Sequence, residues 1–189
     1  MQKQTLNALG IIFLLIAAIN TATGDVTLVR FGPEGEEKPG IIDSEGQLRD
    51  LSGYVSEITP ETLSSASLDA IAQLSLDDLP SVAGEPRLGV PLTGIGKIIA
   101  IGFNYINHAA EMEVQLPAEP LTFMKATSAL TGPFDQIIQP RNGLKLDYEA
   151  ELVVVIGSRA QYISEEDVFD HIAGYTVGHD VSERAFQRE

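Results

Sequence analysis

Short apolar segments separated by turns are the main pattern of this sequence from residue 26 onward. Residues 26–31 read Val-Thr-Leu-Val-Arg-Phe, and Pro33, Gly35, Pro39 and Gly40 follow them. β-branched and aromatic residues favour strands, whereas proline and glycine mark the turns that connect them. This part of the chain therefore predicts a small N-terminal lobe that is rich in β-strands.

A second stretch rich in proline and glycine, residues 80–96, predicts a linker. Before the linker, Ser67 predicts the start of a short helix that ends near Leu74. After the linker, the apolar run 98–101 predicts a buried strand. We therefore predict a N-terminal lobe with its linker over residues 25–96 and a second domain over residues 97–189.

The second domain is predicted to contain mainly strands, with two helices. The strands are expected at residues 121–124, 136–139, 148–156 and 175–178. One helix is expected to start after Ser164, where a capping-box-like sequence occurs, and to end near Gly174. Ser182 is a candidate cap for a final helix. The predicted fold class is mixed α+β, mainly β.

Composition excludes two classes of function. The chain carries 27 Asp and Glu against 12 Lys and Arg, a formal net charge of −15. A nucleic-acid backbone would be repelled by such a surface, so we expect no nucleic-acid partner. The sequence contains no cysteine, which excludes disulfides, thiolate metal sites and cysteine nucleophiles.

The first 24 residues have the order of an export signal. Lys3 is followed by an apolar run over residues 8–19 and by the small residues Ala22 and Gly24. Because a membrane span needs about 20 apolar residues, we expect a cleaved signal rather than a stable membrane span. This interpretation predicts a periplasmic or secreted protein. The alternatives are an uncleaved anchor, or a misassigned start codon and a cytoplasmic protein.

Two glutamates lie two positions apart in the predicted strand 148–156. The side chains of Glu149 and Glu151 therefore share one face of the strand, about 7 Å apart along it. Two carboxylates on one face suit a hard cation such as Mg²⁺ or Mn²⁺, and Asp180, at the end of a later strand, is the best third ligand. The alternative is a solvated face of an edge strand.

His108 and Glu111 lie three positions apart in a segment that could begin a helix. On one helix face, the carboxylate could orient the imidazole and balance its charge, so that the pair could deprotonate a water molecule. Taken alone, the segment favours a surface pair that has no catalytic role.

Four blocks of this sequence resemble the fumarylacetoacetate hydrolase family, and they occur in the family's order. The blocks cover residues 101–111, 123–128, 147–157 and 173–187, and the resemblance begins near Val26. It implies a β-roll core, with metal ligation by Glu149, Glu151 and Asp180. It also implies a water-activating pair of His108 and Glu111. Further residues are implied in substrate binding, namely Arg184, Gln187 and Lys125.

The resemblance also implies the chemistry and the assembly. Members of the family use Mg²⁺ or Mn²⁺, cleave small 2-keto or 2,4-diketo acids, and commonly form homodimers. Asn104 stands where some relatives carry an acidic residue, which suggests three rather than four protein carboxylates. The amino-acid sequences of two blocks are most similar to those of family members labelled ureidoglycolate lyase or 2,4-diketo-3-deoxy-fuconate hydrolase. Ureidoglycolate lyase and oxaloacetate decarboxylase activities are therefore alternatives to hydrolysis.

The family's downstream Gly-Lys and Phe-Gly-Pro blocks do not follow Gln187 in this sequence. We therefore expect a β-roll core that is incomplete at the C-terminus, little activity of these residues alone, and exposed apolar surface at residues 153–156. A further alternative is an inactive fragment that acts only as an interaction module.

Overall fold

The computed structural model describes residues 17–21 and 24–186, in which strands predominate. It contains two α-helices, α1 (Ser65–Ala72) and α2 (Ile106–Glu111), and three short 3-10 helices. The mixed but mainly β class predicted from the sequence is confirmed. The strands are β1 (Ala17–Thr21), β2 (Gly24–Phe31), β3 (Lys38–Ile42), β4 (Leu48–Asp50), β5 (Ile98–Gly102), β6 (Leu121–Lys125), β7 (Leu146–Asp147), β8 (Ala150–Ile156), β9 (Ile172–His179) and β10 (Ser182–Glu183).

Six strands form one antiparallel sheet in the order β4-β3-β2-β1-β9-β8. Two small ladders, β5 with β6 and β7 with β10, complete the strand pairing of the described residues. Strand β8 lies at the edge of the large sheet. The sheet thus joins strands from both sides of the linker predicted at residues 80–96.

The main core lies between the sheet and helix α1. Leu28 of β2 and Ile41 of β3 are buried with Leu68 and Ile71 of the helix, which lie three positions apart and therefore on one helical face. The helix begins one turn earlier than predicted, because the side chain of Ser64 accepts a hydrogen bond from the N–H of Ser67. Ser64 rather than Ser67 is the N-cap.

Three predicted elements of the second domain are wrong. Residues 136–139 form no strand, and the side-chain amide of Gln139 instead donates to the carbonyl of Gly143 in a turn. The helix after Ser164 is a 3-10 helix, Glu165–His171, and β9 replaces its expected last turn. Ser182 is not a helix cap, because it pairs with Asp147 in the β7–β10 ladder and residues 184–185 form a turn.

Strand β8 carries exposed apolar side chains. Leu152 is 62% exposed and Ile156 is 57% exposed, while Val155 packs against the main core. Because β8 is also an edge strand, one side of its backbone pairs with no further strand. The same strand therefore presents both outward-facing backbone groups and exposed apolar side chains. The expectation of exposed apolar surface at residues 153–156 is confirmed for Val153, Val154 and Ile156.

The predicted export signal, residues 1–24, lies mostly outside the described residues. Within it, the backbone of Ala17–Thr21 pairs with β2, of which Gly24 is the first residue. No helix in residues 17–21 and 24–186 is long and apolar enough to cross a bilayer. Export stays a prediction.

Candidate functional site

Antiparallel pairing of β8 with β9 brings two of the predicted metal ligands together. Ala150 pairs with His179, so the residue before β8, Glu149, lies opposite the residue after β9, Asp180. The backbone N–H of Asp180 donates to the carbonyl of Glu149 at 2.8 Å. The sequence places each carboxylate at a strand end, and the register of the two strands makes them neighbours.

Glu151 adds a third carboxylate to this neighbourhood. Burial raises the pKa of its carboxyl group, and the negative charges of Glu149 and Asp180 raise it further. The hydroxyl of Tyr105 opposes this shift by hydrogen bonding to the Glu151 carboxylate, and it accepts from the N–H of Leu152 at 3.3 Å. Glu149 and Asp180 are thus close enough to Glu151 to disfavour its ionisation.

A lysine neutralises Asp180. The Nζ of Lys125 lies 2.5 Å from Oδ1 of Asp180, and both side chains are half-buried, at 31% and 24% exposure. Lys125 is the last residue of β6, and its partner in the ladder is Ile98 at the start of β5. Its Nζ also lies 5.9 Å from the centre of the Phe123 ring.

An arginine neutralises Glu149. The Nη1 of Arg184 lies 2.6 Å from Oε1 of Glu149, and its Nε donates to Oδ2 of Asp147 at 2.9 Å. Burial lowers the pKa of the guanidinium, but the bonds to Asp147 and Glu149 outweigh it and raise the pKa. The β7–β10 ladder fixes this geometry, because the N–H of Arg184 donates to the carbonyl of Lys145 at 2.9 Å.

Glu149 and Asp180 are therefore each paired with a side-chain cation in this structure, whereas Glu151 is bonded to Tyr105. In the described part of the chain, no three acidic or histidine side chains converge tightly enough to hold a metal ion. The chemistry of the donor set still fits a hard divalent cation, since Glu149, Glu151 and Asp180 offer only carboxylate oxygens and repel one another. Their assignment as metal ligands stays a prediction.

The predicted water-activating pair lies on helix α2. His108 is exposed, and its ring stacks on that of Phe103 with the centroids 6.0 Å apart and the planes 18° apart. His108 is close enough to Glu151 for its positive charge to lower the pKa of the Glu151 carboxyl group. Among residues 24–186, no hydrogen bond joins His108 to Glu111, which is also exposed. The helix thus brings His108 into the neighbourhood of Glu151.

The remaining site predictions, Lys125, Arg184 and Gln187, have two outcomes. Lys125 and Arg184, predicted to bind substrate, both contact the predicted metal ligands. Gln187 lies outside the described residues. His171 is not part of this neighbourhood, because its Nδ1 bonds to the hydroxyl of Ser158 at 2.7 Å.

Two residues of the site were missed at the level of sequence. Tyr105 reaches Glu151 from the residue that precedes α2, and Asp147 holds Arg184. Both lie within the blocks that carry the family resemblance, at 101–111 and 147–157. Their position in these blocks could have indicated that Tyr105 and Asp147 belong to the site, whereas their residue types alone could not.

Known proteins with similar sequences cover the same region. Residues 97–189 match the family described as fumarylacetoacetate (FAA) hydrolase C-terminal. The chain is 50% identical over 160 residues to 2,4-didehydro-3-deoxy-L-rhamnonate hydrolase of Sphingomonas sp. (strain SKA58), a match that covers 85% of this chain and 54% of that relative.

Solved structures show the same fold. A fumarylacetoacetate hydrolase from Exiguobacterium antarcticum superposes with a TM-score of 0.65 at 28% identity, covering 86% of this chain and 58% of its own. A protein from Mycobacterium abscessus described as a probable 2-hydroxyhepta-2,4-diene-1,7-dioate isomerase gives a TM-score of 0.64 at 30% identity, covering 83% of this chain and 52% of its own. The chain spans about half the length of these relatives.

Proposed function

We propose that this chain, whose residues 97–189 belong to the fumarylacetoacetate hydrolase family, carries part of the site of an enzyme that hydrolyses a small 2-keto or 2,4-diketo acid. The sequence motifs indicated this family, and the family match confirms it. The observation that carries the proposal is the proximity of the three carboxylates: the N–H of Asp180 donates to the carbonyl of Glu149 at 2.8 Å, and the charges of Glu149, Asp180 and His108 act on Glu151. A relative at 50% identity is named as a hydrolase of a sugar-derived acid, which supports the substrate class.

We propose Glu149, Glu151 and Asp180 as the ligands of Mg²⁺ or Mn²⁺. Their oxygen-only donor set suits either cation. When bound, such a cation supplies two things: positions at which a 2-keto carboxylate can chelate, and charge that stabilises an enolate leaving group.

The protein's own groups would then handle the water and its proton. His108 accepts a proton from a water molecule, which attacks the distal carbonyl of the substrate, and Glu111 balances the resulting imidazolium charge. Collapse of the adduct breaks the carbon–carbon bond, so that a 2,4-diketo acid yields a carboxylic acid and pyruvate. The exposure of His108 leaves it accessible to water and substrate.

Other outcomes of the same chemistry stay open to the experiment. Loss of carbon dioxide would identify a decarboxylase, and cleavage of a carbon–nitrogen bond would identify a lyase of the ureidoglycolate type. The family contains a relative described as an isomerase, whose reaction would release no second product. Homodimer formation is part of the proposal. A chain with no turnover would instead be an interaction module.

The test is a pyruvate-release assay with acylpyruvates and Mg²⁺, Mn²⁺ or EDTA. It should compare this chain with a fusion of residues 1–186, which keeps β1 in the sheet, to the C-terminal part of the Sphingomonas relative, because the chain spans 54% of that protein. We expect metal-dependent turnover in the fusion and a loss of about 100-fold to 10,000-fold in His108→Ala. The control is His171→Ala, which changes a histidine bonded to Ser158 instead.

Three results would contradict parts of this proposal. Turnover that persists in EDTA would show that the reaction needs no divalent cation. Equal rates in His108→Ala and in the parent protein would show that His108 does not activate the water. If a fusion that unfolds cooperatively released no pyruvate from any acylpyruvate, the proposed hydrolase activity would be wrong.

A further inference from the structure

We infer that Lys125 is the counter-cation of the acidic cluster formed by Glu149, Glu151 and Asp180. A divalent cation must displace the ammonium group of Lys125 from Asp180 before this lysine becomes available to an anionic substrate. The inference rests on the proposed function, because it takes Glu149, Glu151 and Asp180 as the ligands. It adds an order of events, in which the metal ion binds first and thereby releases a group that binds substrate.

Lys125 already occupies one carboxylate oxygen of Asp180. The Nζ of Lys125 lies 2.5 Å from Oδ1 of Asp180, and both side chains are half-buried. A cation that used Asp180 as a ligand would lie about 2 Å from a carboxylate oxygen, and therefore only a few ångströms from the ammonium group. Two positive charges at that separation repel strongly in a partly buried site. The ammonium and the cation thus compete for Asp180.

The second ion pair of the cluster joins Arg184 to Glu149. Arg184 bonds Glu149 at 2.6 Å, but it also bonds Asp147 at 2.9 Å, and Asp147 is not among the proposed ligands. Arg184 can therefore release Glu149 and keep an ionic partner. Among the described residues, Lys125 forms an ion pair with Asp180 alone. Cation binding consequently frees Lys125 rather than Arg184.

Once released from Asp180, Lys125 can contact a substrate anion. Its Nζ already lies 5.9 Å from the centre of the Phe123 ring, and the face of this ring can form a weak cation–π interaction with an ammonium group. An unpaired ammonium beside a bound cation is well placed to receive the carboxylate of a chelating keto acid. Without the cation, the same ammonium is occupied by Asp180.

The closing experiment measures Mn²⁺ binding by isothermal titration calorimetry, with no substrate and no activity readout. We expect Lys125→Gln to bind Mn²⁺ about fivefold more tightly than the parent chain, since the competing ion pair is gone. The matched control is Lys38→Gln, which removes the same charge from an exposed lysine whose ion-pair partner, Asp50 at 4.0 Å, lies outside the acidic cluster. We expect its affinity to stay within about twofold of the parent value.

A second measurement needs no variant. Competitive acetylation of the unaltered chain, quantified by mass spectrometry, should label Lys125 several-fold faster in saturating Mn²⁺ than in EDTA, and Lys38 equally in both. Unchanged affinity in Lys125→Gln, or unchanged labelling of Lys125, would overturn the exchange while leaving the metal site in place. Absence of Mn²⁺ binding in all three proteins at millimolar concentration would instead overturn the proposed metal site, and the inference with it.

Discussion

The guanidinium of Arg87 holds the carboxylate of Asp135 with two hydrogen bonds, from Nε at 2.7 Å and from Nη2 at 2.6 Å. Arg87 also bonds Glu37 at 2.7 Å, and Arg30, which is only 8% exposed, bonds both Glu37 and Glu57. The five side chains alternate in charge from Glu57 to Asp135. They tie the loop that contains Asp135, in the family-matched region, to the strands of the N-terminal region.

Arg87→Met should lower the free energy of unfolding by about 2–3 kcal/mol, because the nearly buried carboxylate of Glu37 and that of Asp135 would both lose a charged partner. Urea unfolding at pH 7 measures the change. Arg141→Met is the control, since Arg141 is exposed, and we expect a change within about 0.5 kcal/mol. Equal effects of the two substitutions would show that the ion pairs contribute nothing specific.

The stability of the chain should fall in acid as Asp135 takes up a proton. The hydrogen bonds from Arg87 lower the pKa of this carboxyl group from its ordinary 3.8 to about 2, although burial opposes the shift. Because the pKa is lower in the folded chain, the contribution is present above about pH 4 and is lost as the pH falls toward 2.

The measurement is urea unfolding of the parent chain and Asp135→Asn from pH 5 downward. We expect the difference in unfolding free energy to shrink as the pH falls through this range. A difference that stays constant would mean that the charge of Asp135 does not contribute.

Glu151→Gln should stabilise the chain at pH 7 in the absence of divalent cations, by about 1 kcal/mol. Burial and the charges of Glu149 and Asp180 raise the pKa of Glu151 above its ordinary 4.5 in the folded chain, so its ionised form opposes folding. The gain should disappear below about pH 4.5, where the carboxyl group is protonated in both states.

Thermal unfolding in EDTA tests this expectation, with Glu45→Gln as a control at an exposed carboxylate outside the cluster. The same Glu151→Gln variant should bind Mn²⁺ at least about tenfold more weakly, since it loses a proposed ligand. Destabilisation at pH 7 would show that Glu151 is not held among like charges.

Val154→Lys should reduce self-association of the chain. Val154 is exposed on the edge strand β8, and a charge on an exposed edge strand disfavours pairing with another chain. Light scattering over a range of concentrations should show less growth in apparent mass than the parent chain does. Ala160→Lys adds the same charge at an exposed position outside β8 and should leave association nearly unchanged.

Local sequence pattern was sufficient for much of the fold. The β-branched run that forms β8 and the apolar run that forms β5 were predicted within two residues of their ends, because side-chain pattern acts within a few positions. The predicted burial of β5 is wrong, since Ile99 is 59% exposed and Ile101 is 42% exposed. Ser182 shows where local pattern fails. A serine before polar residues favours a helix cap, but pairing with Asp147 offers its backbone a ladder instead.

The sequence by itself determined that Glu149, Glu151, Asp180 and His108 lie in blocks that resemble one family. Only the tertiary structure decided which cations neutralise Glu149 and Asp180. Antiparallel register places Asp180 beside Glu149, and Lys125 and Arg184 reach these carboxylates from β6 and from the residue after β10. Lys125 and Asp180 are 55 positions apart in the chain. Electrostatic energy depends on distance in space, which sequence spacing does not contain for residues so far apart.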